Sequence, residues 1–218
     1  AARGVGYQTM ERRHHLVCGG AERYLAGVWD DARRQAVHAS FDATGKPYAE
    51  DAFRAVARAL DQFATGWTAA HTDACEATRI RCEQSEELLD LRMQCLDARR
   101  TQLQALVDLF THADAQVVER SVKMSAGVGD LADCANVSLL KSPVRPPADA
   151  ASRAQVEELR RRLARVRALD AAGKYDEELP LAEAVERDAA RVGYAPIRAD
   201  ALLALGIVQT AKGRFKPA

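Results

Sequence analysis

Gly173-Lys-Tyr-Asp-Glu-Glu-Leu179 returns near the end of the chain as Gly213-Arg-Phe-Lys-Pro-Ala218. Each copy is a glycine, a basic residue, an aromatic and then a helix start, and the two lie about 40 residues apart. Glycine lets a chain turn tightly between paired helices, and the aromatic fills the corner between them. Ahead of the second copy, Leu202-Leu-Ala-Leu205-Gly206 sets a large residue beside a small one, which lets a helix sit close to its neighbour. Repeated turns of this kind, with no stretch that alternates like a strand, predict an all-α fold that ends in stacked helical hairpins.

Working back from that turn, a helix is predicted over 149–172 with Val156, Leu159, Leu163, Val166 and Leu169 as its apolar seam. Two more follow, over 176–192 and 195–212. Pro180 falls at the end of the first turn of the earlier one, where a missing N–H is tolerated. Lys141-Ser-Pro-Val-Arg-Pro-Pro147 excludes helix and marks a linker over 141–148. Before it, 18–140 reads as an antiparallel helical bundle, preceded by a flexible terminus over 1–17. Its first helix is expected over 20–41, on the spacing of Leu25, Val28, Trp29, Ala32, Ala36 and Val37. Thr44-Gly45-Lys46-Pro47 ends that helix, and a second runs over 48–78 with Gly66 as a weak point. Ser85 caps a third helix to about 111, and Asp114 caps a short fourth to about 125. Residues 130–140 are expected to be irregular or single-turn, packed by Leu131, Val137, Leu139 and Leu140.

At Gly173, Tyr175, Leu205, Gly206, Gly213 and Ala218 the chain resembles the tetratricopeptide repeat (TPR) family, in a variant of about 40 residues. The first unit departs from the pattern. Glu178 stands where a small residue is usual, and Arg162 and Arg165 replace apolar positions. The resemblance therefore implies a degenerate or capping repeat whose outer face meets solvent or the preceding domain, followed by a second repeat cut short. A wider resemblance rests on Cys18-Gly-Gly-Ala-Glu-Arg-Tyr-Leu-Ala-Gly-Val-Trp29-Asp, on the stretch ending at Trp67, on Ala74-Cys75-Glu-Ala-Thr78 and on Gln84-Ser-Glu-Glu-Leu-Leu-Asp-Leu-Arg92-Met-Gln-Cys95-Leu. These are similar to the juxtamembrane region ahead of the repeats in receptor-type bacterial serine/threonine protein kinases. That likeness implies an upstream kinase domain and an extracytoplasmic, periplasmic-side position. This chain itself carries no Gly-rich phosphate loop, catalytic loop or DFG motif, so it is not expected to be an enzyme.

The 218 residues carry 31 basic and 31 acidic side chains, which gives no global field for nucleic acid. Arg153, Arg160, Arg161, Arg162, Arg165 and Arg167 form the densest basic cluster, but they wrap around a helix and acids are interleaved, so a solvated face or an acidic partner is expected. No apolar run reaches the ~18 residues of a membrane span, and membrane contact is expected only through a segment outside this chain. Five cysteines, at 18, 75, 82, 95 and 134, lack zinc-ribbon spacing. In antiparallel helix pairs, Cys18 with Cys75 and Cys95 with Cys134 each lie about three residues off level pairing, roughly 4–5 Å along the axis. Cys75 with Cys95 fits worse. Two bridges, Cys18–Cys75 and Cys95–Cys134, are expected with Cys82 free, and reduced buried thiols in a cytoplasmic scaffold are the alternative. His71 and Cys75 share a helix face, with His112 as a loose third group, but no second ligand pair accompanies them. His14 and His15 lie in the terminus. Neither set, nor any cysteine–histidine pair, is expected to form a metal or catalytic site, and no cofactor is expected. Trp29 and Trp67 are expected core anchors. The chain thus reads as a non-catalytic sensor or interaction module for a protein or peptide, or alternatively a small ligand. A helical metal-dependent enzyme is the remaining alternative, and it would need a polar cleft around His71, Cys75 and His112.

Overall fold

The computed structural model describes residues 17–141, 144 and 147–213, and these are all-α, with no strand among them. His14 and His15, most of the expected terminus, half of the expected linker, and the second turn beyond Gly213 lie outside the described residues. Eight α-helices are described: α1 Asp31–Ala43, α2 Ala49–Arg79, α3 Glu86–Phe110, α4 Ala115–Ala126, the single turn α5 Val137–Leu140, α6 Ala150–Ala172, α7 Tyr175–Val192 and α8 Ala195–Ala211.

Their ends follow local chemistry. Ser85 Oγ accepts from Leu88 N at 3.2 Å, Asp114 Oδ1 from Val117 N at 2.9 Å and Asp149 Oδ1 from Ser152 N at 2.7 Å. Each cap satisfies a donor that the helix start would leave bare. Gly173 and Gly193 close α6 and α7 in left-handed conformation, at φ 73° and 71°. Pro180 lies just inside α7, which continues through it.

The expected helix over 20–41 is two pieces. A 3-10 turn spans Ala21–Leu25, and α1 begins only at Asp31. Asp30 makes the break: its carboxylate accepts from Gly27 N at 2.7 Å and from Arg33 N at 2.9 Å, while Gly27 takes φ 73°. The apolar spacing still serves, because Leu25, Val28 and Trp29 are buried on either side of the break.

Two cores result. Val37, Phe41, Val56, Leu60, Trp67, Leu96, Leu103 and Phe110 fill the first, with Phe41 edge-on to Phe110 at 5.6 Å. Gly66 leaves room there for the Leu131 side chain. Val156, Leu163, Val166, Ala182, Val185, Ile197, Ala201 and Val208 fill the second, among α6, α7 and α8. The cores adjoin, since α6 packs on α3 and α4 and Ala172 is buried in the first.

Candidate functional site

The cysteines are the first sequence-named residues to find partners. Cys18 is bonded to Cys75 with Cα atoms 5.6 Å apart, and Cys95 to Cys134 at 5.4 Å. One bridge holds the chain's entry to the C-terminal half of α2. The other holds the middle of α3 to the 3-10 turn Ala132–Ala135. Two disulfides fit an oxidising, extracellular environment. Among the described residues no helix is long and apolar enough to cross a membrane.

Cys82 is a free, exposed thiol at φ 55° in the α2–α3 turn. A side-chain network holds that turn. Arg92, only 8% exposed, donates to Asp73 at 2.7 Å and to Gln84 at 3.2 Å. Gln84 in turn donates to Thr78 Oγ1 at 2.8 Å and to Ala74 O at 2.9 Å. The hydrogen bond from Arg92 is the main reason the Asp73 carboxyl titrates below its usual range, and Arg81 adds to it.

The bond to Cys18 uses up the Cys75 sulfur, so Cys75 offers no thiolate to a metal or to cysteine-type catalysis. His71 lies at a tilt beside both Tyr24 and Trp67, 5.1 Å from each ring centre, and burial lowers its pKa. These residues and the Cys18–Cys75 bridge line a cleft of about 520 Å³. His112 lies elsewhere, hydrogen-bonding locally to Thr111 and Asp108. His71, Cys75 and His112 are therefore not gathered around a cleft. Among the described residues, the grouping with metal-like spacing is His38, Asp42 and Glu50, an exposed set in which His38 bonds Glu50 at 2.7 Å and stacks on Phe53. Trp29 and Trp67 are buried; Trp29 donates to Asp61 at 2.8 Å and Trp67 to Leu96 O at 2.7 Å.

Two spaces that reading by sequence missed lie where the two cores meet. Two grooves flank the line along which α6 crosses α3, and Ala168 lines both. The first, about 600 Å³, is edged by Asp108, His112, Arg161, Arg165, Lys174 and Glu177. Its charges are largely matched: Arg33 engages Asp108, Glu158 engages Arg161, and Lys174 reaches Asp114 at 2.6 Å and Glu177 at 3.2 Å. The second, about 760 Å³, is edged by Arg99, Arg120, Lys123, Arg167, Asp170 and Tyr175. The basic run of α6 is thus dispersed. Arg162 pairs with Asp188 of α7, Arg160 with Glu157, and only Arg165 and Arg161 edge the first groove and Arg167 the second.

Near Asp170, on the edge of the second groove, the first turn of α7 carries Glu178. It is 1% exposed, and neither carboxyl oxygen has a hydrogen-bond partner. Burial, with the nearby Asp170 charge, pushes its pKa up to about 7. Burial also raises the Asp170 pKa. The repeat pattern marks Glu178 as an acid where a small residue is usual, but nothing in the sequence marks Asp170 beside it.

Comparison with protein-family models, curated proteins and solved structures finds no match for this chain.

Proposed function

We propose that this chain is a non-catalytic sensor and protein-interaction module, part of a bacterial receptor serine/threonine kinase and lacking the kinase domain, positioned on the extracytoplasmic side. In this reading α6 and α7 form a degenerate first tetratricopeptide unit and α8 opens the second. The observation that carries it is the outer face of α8. Leu202, Leu203 and Ile207 are exposed there, at 49%, 63% and 45%, while Ala201, Ala204 and Val208 on the opposite side are buried. Gly206 stands on the same outer face with open space before it. A small residue among large apolar ones suits close approach of another helix, and an apolar face of this kind is characteristic of interaction surfaces.

The two disulfides support the placement, since thiols are kept reduced in the cytoplasm. The Cys75–Thr78 and Gln84–Cys95 stretches that carry the kinase-receptor resemblance supply Cys75, Thr78, Gln84, Arg92 and Cys95 to the bridges and the turn network. In mechanism, a partner held along the stacked helices would load α6, and the stapled bundle would pass that load on as a rigid body.

The test is the gene around this segment. A kinase domain upstream, joined by an apolar span of about 20 residues, is the expected result. Flanks that encode neither would remove the receptor reading.

A further inference from the structure

We propose that the 760 Å³ groove between α3, α4 and α6 is a binding site for a small polyanion, bearing clustered carboxylates or phosphate, which bridges the two cores. This deepens the reading of the chain as a ligand-receiving module and rests on it.

The groove gathers more cations than acids. Cations enter the groove from three helices: Arg99 from α3, Arg120 and Lys123 from α4, and Arg167 from α6. Arg120 and Lys123 stand three residues apart on one face of α4, and neither has an ion-pair or hydrogen-bond partner among the described residues. The side chain of Arg120 is exposed, and its guanidinium lies against Gly173, at the α6–α7 turn, in space that a Cβ would occupy. Arg99 lies against Gly129 in the same way, donating to Asp133 at 2.9 Å and to Gln102 at 3.2 Å, yet its buried Nε has no acceptor. Arg167 has only a distant carboxylate, Asp200 at 3.7 Å. Against these four, the groove wall offers one acid, Asp170.

Other arginines are answered by acids within one turn or across a helix pair, as in Arg54–Asp51, Arg100–Asp97 and Arg162–Asp188, whereas Arg120 and Lys123 in the groove have no such partner among the described residues. Guanidinium groups converging on a partly apolar cavity of this size are suited to planar or tetrahedral oxyanions, which take charge-assisted paired bonds. Leu106, Val128 and the Tyr175 ring supply apolar wall for the body of an organic anion. A ligand here would touch both cores at once, so its binding would tighten their junction.

Inorganic pyrophosphate and citrate, titrated calorimetrically into this chain at low and high NaCl, test the proposal. The expected result is saturable binding of at least one of them that weakens as salt rises, phosphate or carboxylate chemistry being assigned by which binds more tightly. Arg120→Gln with Lys123→Gln should weaken it about tenfold or more, and Arg167→Gln, on the other core, should weaken it as well. Arg58→Gln with Arg198→Gln, of equal charge but elsewhere, should leave it unchanged. Thermal melts of each variant establish that it is folded. No saturable binding of either probe would overturn the proposal. So would binding that survives the α4 pair, that is indifferent to Arg167→Gln, or that falls equally in the control. Any of these would leave the interaction-module reading standing, since that reading is tested by the flanking gene.

Discussion

Glu178 is the residue whose chemistry most shapes the fold's response to pH. Its folded-state pKa of about 7 lies above the ordinary 4.5, so the folded protein holds this proton over a range where the unfolded chain has released it. The contribution of this carboxyl to stability is therefore greatest below about pH 4.5 and declines as pH rises through 7. Glu178→Gln removes the charge and keeps the shape. It should stabilise the protein at pH 8 by on the order of 1–3 kcal/mol, with the gain shrinking towards pH 5, read from urea midpoints at both pH values. Arg92 is the opposite case, a buried cation whose terminal nitrogens are partnered by Gln84 and Asp73, although its Nε has no acceptor. Arg92→Ala strips the α2–α3 turn of its central donor and should cost about 1–3 kcal/mol in the same measurement.

At the scale of elements, the caps decide where helices begin, and this part of the fold was legible from single residues. Ser85, Asp114 and Asp149 each announce a helix start because a short acceptor one residue ahead of a helix satisfies a specific backbone donor. Asp30 is a cap of the same kind, but the apolar spacing from Leu25 to Val37 runs across it and hides the break at Gly27. The bridges were legible for a related reason: residue height in antiparallel helices follows from turn position and rise per residue alone. The grooves were not, because they depend on how α6 crosses α3 and α4, and no local rule sets that crossing. Asp114 carries a prediction here. It caps α4 and also binds Lys174 across the junction, and that hydrogen bond is the main cause of its lowered pKa. Asp114→Ala should cost about 1 kcal/mol, mostly through the cap, whereas Lys174→Ala should cost less because the ion pair is half open to water. Thermal melts at pH 7 separate the two.

For the whole molecule, two features extend beyond local chemistry. In the proposed reading, the apolar outer face of α8 is the surface on which a longer repeat array would grow. If the natural protein continues as proposed, adding the residues that follow this chain in its gene should raise the melting temperature. Leu203→Glu should cancel that gain while leaving the present chain within about 0.5 kcal/mol of its original stability, as expected for an exposed site. The second feature is the pair of staples. They close loops with sequence separations of 57 and 39 residues, and in the chain-entropy account each such closure stabilises by up to about 4 kcal/mol. Both lie in the bundle, so reduction should loosen α1–α4 before it loosens the α6–α8 core.

The oxidised bundle is the part of the account from which extracytoplasmic placement and rigid coupling both follow, and one mass measurement tests it. The protein is isolated from its natural host with thiols quenched, unfolded, and alkylated before and after reduction. The account predicts one alkylated cysteine before reduction, Cys82, and all five afterwards. Five alkylated cysteines before reduction would contradict it.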